Sequence, residues 1–79
     1  METLGDRLRA MRKDRGLSLE EVSDQLGYAV NSVGRWERED VYPSVPALMD
    51  LRDFYNVSID WMLTGKEWQD GKAFTILVQ

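Results

Sequence analysis

The chain has 79 residues, with 14 acidic side chains against 10 basic ones and a formal net charge of −4. A chain of this length can bury one hydrophobic core and leaves no room for a second. Because the sequence contains neither cysteine nor histidine, disulfides, thiolate metal sites and the commonest catalytic base and nucleophile are excluded. We therefore expect neither an enzyme nor a bound cofactor.

The charges are unevenly distributed along the chain. Seven acidic and seven basic residues precede Glu39, whereas seven acidic and three basic residues make up the charges from Glu39 onward. The acidic balance argues against binding to nucleic acid, but a local basic patch decides such binding more than the total charge does. The N-terminus has no signal-peptide pattern and no apolar run approaches bilayer length. We expect a cytoplasmic protein without a membrane partner.

The first helix is predicted over roughly residues 4–15, where leucine and methionine recur at helical spacing and a glycine follows the last basic residue. Basic side chains occupy its other faces. We expect Arg7, Arg9 and Lys13 to lie in solvent, as side chains on the polar face of an amphipathic helix do.

The second helix is predicted to begin after Ser18, which forms a capping box with Glu21, and to end at Gly27. A third helix is predicted over residues 30–38. The fourth and fifth helices are predicted to follow the N-caps Ser44 and Ser58 and to end at Asn56 and Gly65, which favour left-handed backbone. Aromatic side chains at helical spacing are expected in the core, and these are Trp36, Phe54, Tyr55 and Trp61.

The last 14 residues differ in character from the helical part. Residues 73–78 predict a short β-strand, with Phe74, Ile76 and Val78 on one apolar face. An isolated strand exposes unpaired backbone groups that invite pairing with a second copy. We therefore expect a helical domain over residues 1–65 and a self-associating tail over residues 66–79. The alternatives are that the strand folds back on its own chain or opens a further domain.

A helix-turn-helix signature lies within residues 19–38. Two helices that cross closely require a small residue in the first helix, a glycine four residues later in the turn and an apolar residue six after that glycine. Ser23, Gly27 and Val33 meet these three requirements in order.

The chain resembles the Cro/C1-type (XRE-type) repressors of bacteria and lambdoid phages in the segments GDRLRAMRKDRGLSLEEVSDQLG, SVGRWER and VSIDWMLTG. The resemblance covers about residues 4–65. It implies an all-α, compact five-helix, lambda-repressor-like domain, here followed by the predicted C-terminal strand. It also implies a transcriptional regulator that binds a palindromic double-stranded DNA operator as a homodimer, and no small-molecule ligand is evident.

The same resemblance assigns roles by position. It implies a buried ion pair between Arg12 and Glu37 that ties the first helix to the third. It places the backbone N–H groups near Ser18 and Leu19 against a phosphate. From its position at the end of the third helix, we expect Arg38 to contact a phosphate as well. The third helix would enter the major groove, with base edges faced by Val30, Asn31, Ser32, Gly34 and Arg35.

The chemistry of some of these side chains supports their roles independently. Arginine binds guanine bidentately, asparagine binds adenine, and valine packs on the thymine methyl group. Val30 has two open interpretations, because it stands three residues before Val33 and could equally lie at the edge of the core. Gly34 costs about 1 kcal/mol of helix stability relative to alanine, and we interpret it as allowing close approach to DNA.

Three departures from the family pattern concern DNA affinity. Ala29 replaces the usual hydroxyl cap of the third helix, and Val30 replaces a polar residue that is often glutamine. The loop after the helix carries Glu39 and Asp40, whose carboxylates would repel a phosphate, so we expect modest affinity.

Other functions remain open. An antitoxin or a restriction–modification controller uses the same fold, and the tail could cover a toxin. From a different class, the chain could be a protein-interaction module that has lost DNA binding. The acidic loop and Val30 favour that module, whereas Asn31, Arg35 and Arg38 oppose it.

Overall fold

The structure, a computed structural model, describes residues 2–66 and folds them into five α-helices. These are α1 (Leu4–Asp14), α2 (Leu19–Leu26), α3 (Val30–Arg38), α4 (Val45–Tyr55) and α5 (Ile59–Thr64). The predicted five-helix fold class is confirmed. The predicted strand and its residues Phe74, Ile76 and Val78 lie outside the described residues. Within residues 2–66, no helix is long and apolar enough to cross a bilayer.

Side-chain caps define the start of every described helix except α3. The Ser18 hydroxyl accepts a hydrogen bond from the Glu21 N–H at 3.1 Å, and the Glu21 carboxylate accepts one from the Ser18 N–H at 2.8 Å. Ser44 and Ser58 cap α4 and α5 in the predicted manner. Ala29 precedes α3 and provides no side-chain cap, as the sequence predicted.

The helices enclose one core to which all five contribute. Trp36 and Tyr55 are buried, whereas Phe54 and Trp61 are partly buried and pack against the core. The buried apolar side chains are Leu4, Leu8, Met11, Val22, Val33, Trp36, Ala47, Leu51, Tyr55 and Met62. Burying such side chains is the main favourable contribution to folding.

The turn between α2 and α3 has the geometry that the signature predicted. Ser23 is buried, and its hydroxyl donates to the carbonyl oxygen of Leu19 at 2.7 Å. Gly27 ends α2 with a φ of 80°, in the left-handed region that favours glycine. Val33 is buried on the facing side of α3. The three residues therefore let α2 and α3 cross closely.

Arg7 is buried, so the expectation that it lies in solvent is wrong. Its Nε donates to the carbonyl oxygen of Met62 at 2.8 Å, and its Nη2 donates to that of Leu63 at 3.0 Å. The physical reason is that the last carbonyls of a helix have no partner within the helix, and a cation there is also favoured by the helix dipole. Arg7 thus fastens the end of α5 to α1. Arg9 and Lys13 are exposed, as predicted.

Candidate nucleic-acid interface

The solvent-facing side of α3 carries a group of side chains that can recognise bases. Asn31 and Arg35 are exposed, four residues apart and therefore on one face of the helix. Val33 and Trp36 are buried on the opposite face and hold α3 against the core. The helix therefore presents an amide and a guanidinium outward from a backbone that the core fixes.

Val30 and Ser32 lie at the first turn of α3. Val30 is 41 % exposed, so its side chain is at the surface, and Ser32 is half-buried. The exposure of Val30 favours the interpretation of a surface contact over that of a core residue. An exposed apolar side chain at this position is suited to the methyl group of thymine.

Gly34 is buried, and side chains of the protein itself lie close to it. A Cβ added at Gly34 would lie 3.2 Å from Nη1 of Arg38 and 3.7 Å from Cδ1 of Leu19. The missing side chain therefore leaves space for the packing of α2 and Arg38 against α3. Close approach of DNA at Gly34 stays a prediction.

Arg38 lies at the end of α3 with its side chain 53 % exposed. Its Nε donates to Oδ2 of Asp40 at 3.2 Å. The position of Nη1 above Gly34, close to Leu19, brings the guanidinium towards the first residue of α2. Arg38 is therefore placed beside the second element for which a phosphate contact was predicted.

The N-terminus of α2 offers backbone donors at the same surface. Ser18 is exposed, and Leu19 is half-buried because its side chain packs against the core. The capping box already occupies the N–H groups of Ser18 and Glu21. The N–H groups of Leu19 and Glu20 have no acceptor within the first turn, and together with the helix dipole they attract anions. The chemistry of this end therefore suits a phosphate.

An ion pair between Arg12 and Glu37 joins α1 to α3 beneath this surface. The Arg12 Nε lies 2.7 Å from Oε2 of Glu37, and Nη2 lies 3.1 Å from Oε1, so the contact is bidentate. Arg12 also donates through Nη1 to the carbonyl oxygen of Leu17 at 2.9 Å. The Glu37 side chain is 5 % exposed. The pKa of Arg12 is raised, first by the hydrogen bond to Glu37, which keeps the guanidinium protonated.

The Glu39 carboxylate contacts the start of α1, whereas the sequence predicted that it would lie near a DNA phosphate. The sequence suggested a free carboxylate that repels phosphate, but Oε2 of Glu39 accepts a hydrogen bond from the Gly5 N–H at 2.7 Å. The pKa of Glu39 is lowered, first by a hydrogen bond from the Thr3 side chain and then by the Gly5 N–H. Its charge is thus partly compensated at the N-terminus of α1, where an anion is favourable.

Tyr28 was not identified from the sequence, although it lies in the turn that sets the position of α3. Its hydroxyl donates to Oδ2 of Asp50 on α4 at 2.8 Å. Its ring contacts that of Trp36 edge to face, with centroids 5.1 Å apart. The pKa of Tyr28 is raised, first by the hydrogen bond to Asp50. A tyrosine directly after the turn glycine is the local signal that could have predicted these contacts of the turn with α3 and α4.

Comparison with known proteins decides the family. A family model described as "Helix-turn-helix" matches residues 8–62, which is most of the chain. The chain belongs to this helix-turn-helix family. The resemblance to Cro/C1-type repressors is confirmed.

Similar proteins include two from Bacillus subtilis (strain 168). The uncharacterized HTH-type transcriptional regulator YobD is 37 % identical over 57 residues, which are 72 % of this chain and 51 % of YobD. The HTH-type transcriptional regulator ImmR is 34 % identical over 76 residues, which are 96 % of this chain and 59 % of ImmR. The chain therefore spans between half and three-fifths of the length of these two helix-turn-helix relatives.

A solved structure agrees with the fold. The P22 c2 repressor, crystallised in complex with a synthetic operator, superposes with a TM-score of 0.79 at 26 % sequence identity. The match covers 84 % of this chain and all of that repressor chain. The five described helices of this helix-turn-helix chain thus have the arrangement of a repressor domain.

Proposed function

We propose that this helix-turn-helix chain is a sequence-specific DNA-binding transcriptional regulator, of the repressor kind, that inserts α3 into the major groove of its operator. The observation that carries the proposal is the exposed row on α3 formed by Val30, Asn31 and Arg35, backed by a buried face. The similarity to the P22 c2 repressor, a protein crystallised with an operator, supports the same function.

The exposed side chains of α3 contact different groups on the bases. Asn31 and Arg35 reach base edges, because amide and guanidinium groups pair bidentately with adenine and guanine. Ser32 makes a further polar contact, and Val30 meets a thymine methyl group. Such contacts determine the sequence, whereas contacts to phosphate determine register and affinity.

The phosphate contacts come from the elements that flank α3. Backbone N–H groups beside Ser18 and Leu19 bind one phosphate at the N-terminus of α2. Arg38 binds another through its guanidinium, which lies near Leu19. Both contacts act alike on every sequence.

The regulator acts as a homodimer on a palindromic operator, in the cytoplasm where bacterial DNA is found. A two-fold symmetric pair places two recognition helices about one turn of DNA apart. The proposed means of association is the tail over residues 66–79, of which residues 67–79 lie outside the described residues. Its support is the apolar alternation of Phe74, Ile76 and Val78 in the sequence.

Binding to duplex DNA at several salt concentrations tests the proposed function. We expect the chain to bind a random duplex weakly and to lose that affinity steeply as salt rises, because each neutralised phosphate releases counterions. Selection from a pool of random duplexes should then enrich one palindromic sequence. A chain that binds no duplex even at low salt would instead be a protein-interaction module.

A further inference from the structure

The two carboxylates that follow α3 have different partners. Glu39 accepts a hydrogen bond from the Gly5 N–H of α1, whereas Oδ2 of Asp40 lies 3.2 Å from Nε of Arg38. We propose that Asp40 is an internal competitor for DNA phosphate, which holds the Arg38 guanidinium and lowers the affinity for every duplex. The inference rests on the proposed function, because it concerns a contact at the same surface.

The position of Arg38 makes this competition specific. Nη1 of Arg38 and Cδ1 of Leu19 both lie within 4 Å of the point where a Cβ of Gly34 would stand, so the guanidinium lies near the side chain of the first residue of α2. Within residues 2–66, the guanidinium makes a single hydrogen bond, from Nε to Asp40. The carboxylate therefore partly neutralises a cation that lies near the first residue of α2.

A carboxylate and a phosphate compete for the same donors, because both are anions that accept hydrogen bonds from a guanidinium. Both side chains of the Arg38–Asp40 pair are 53 % exposed. An exposed pair of this kind alters an equilibrium by no more than about fivefold. Asp40 therefore adjusts the affinity and does not abolish binding.

The inference is tested with the full chain, a random duplex and the substitution Asp40→Asn, which keeps the side-chain size and removes the charge. We expect Asp40→Asn to bind about threefold more tightly at about 50 mM salt and less than twofold more tightly at about 200 mM salt, because one more cation becomes available to phosphate. In an Arg38→Ala background, Asp40→Asn should raise the affinity for the duplex no more than the control substitution Asp53→Asn does.

The matched control is Asp53→Asn. Asp53 forms a comparable exposed pair with Arg52, with Nε and Oδ1 2.9 Å apart, but it lies on α4 and has no contact with Arg38 among the described ion pairs. It reports the effect of removing one negative charge from the whole chain. A thermal melt of each variant verifies that it is folded.

The results of these binding experiments separate the proposed competition from the proposed function. An Asp40→Asn protein that binds like wild type or like Asp53→Asn overturns the inference and leaves the proposed function intact. A gain that persists in the Arg38→Ala background also overturns it, because the carboxylate would then act as a simple charge. If wild type and all folded variants fail to bind DNA, the proposed function fails and the inference fails with it.

Discussion

At the scale of single residues, the buried guanidinium of Arg7 is expected to contribute strongly to stability. It donates to the carbonyl oxygens of Met62 and Leu63 at the end of α5. Arg7→Met keeps much of the volume but leaves these carbonyls without their donor, so the free energy of unfolding should fall by about 3 kcal/mol. Urea unfolding followed by circular dichroism measures this change.

The control for this prediction is Arg9→Met on the same helix. The Arg9 side chain is 45 % exposed, with its Nε 3.8 Å from the nearest Glu37 oxygen. Arg9→Met should lower the free energy of unfolding by no more than about 1 kcal/mol, as for other exposed ion pairs. Equal unfolding midpoints for the two variants would show that Arg7 has no special role.

Tyr55 predicts how stability depends on alkaline pH. Burial, followed by the nearby Glu37 carboxylate, raises the pKa of Tyr55 from 10.0 to about 12. Because the folded-state pKa lies above that of the unfolded chain, the stability that the protonated Tyr55 hydroxyl contributes is present in full below pH 10. It is lost as the pH rises to about 12. The loss attributable to Tyr55 should be on the order of 2 kcal/mol.

Unfolding by urea across this pH range tests the prediction. Tyr55→Phe keeps the ring and removes its titration, so its stability should fall less steeply between pH 10 and about 12. Tyr42→Phe is the control, because Tyr42 is 71 % exposed. If Tyr55→Phe and wild type lose the same stability over this range, the hydroxyl of Tyr55 does not contribute in the way stated.

Individual long-range contacts were the part of the structure that the sequence predicted least well. Arg7 was expected in solvent because its neighbours on α1 are basic, but its partner Met62 is 55 residues away in the chain. Glu39 was expected to face DNA, yet its partner Gly5 is 34 residues away. Such partners depend on how helices pack, which residue spacing does not encode.

At the scale of helices, the ion pair between Arg12 and Glu37 is expected to determine how α1 holds α3. Arg12→Met or Glu37→Leu strands the other charge in a largely buried place, and each should lower the free energy of unfolding by about 3–5 kcal/mol. The double variant should lose less stability than the two single variants lose together, because two apolar side chains replace a matched pair. Urea midpoints of the three variants test this, and two single variants close to wild type would contradict it.

The helix boundaries were predicted well because their signals are local. Residues 30–38 were predicted as the third helix, and α3 spans Val30–Arg38. Ser18 and Gly27 likewise set the ends of α2. The surroundings of Gly34 were not predicted, because the atoms close to it belong to the side chains of Leu19 on α2 and Arg38 at the end of α3. A sequence reports a glycine but not what approaches it.

At the scale of the whole molecule, the proposed homodimer is expected to depend on the tail. Deletion of residues 72–79 removes the apolar face of Phe74, Ile76 and Val78, so the shortened chain should be monomeric and bind a palindromic operator much more weakly. Light scattering after size-exclusion chromatography gives the mass of each form. A shortened chain that remains a dimer would show that another surface associates.

Net charge is also a property of the whole molecule, and it does not prevent the proposed function. The excess of acidic residues follows α3 in the sequence, whereas Arg35 and Arg38 are exposed on α3 itself. A local field of this kind steers a phosphate more than the total charge does. An acidic total charge is therefore compatible with the proposed contact between α3 and DNA.

The proposal that α3 reads the base sequence is tested by the binding specificity of Arg35→Ala. Binding is measured for wild type, Arg35→Ala and Arg38→Ala against a set of single-base variants of the selected operator. Arg35→Ala should lose about 1–3 kcal/mol of discrimination at one base pair in each half-site, whereas Arg38→Ala should weaken binding to all variants alike. An Arg35→Ala protein with an unaltered specificity profile would contradict the claim.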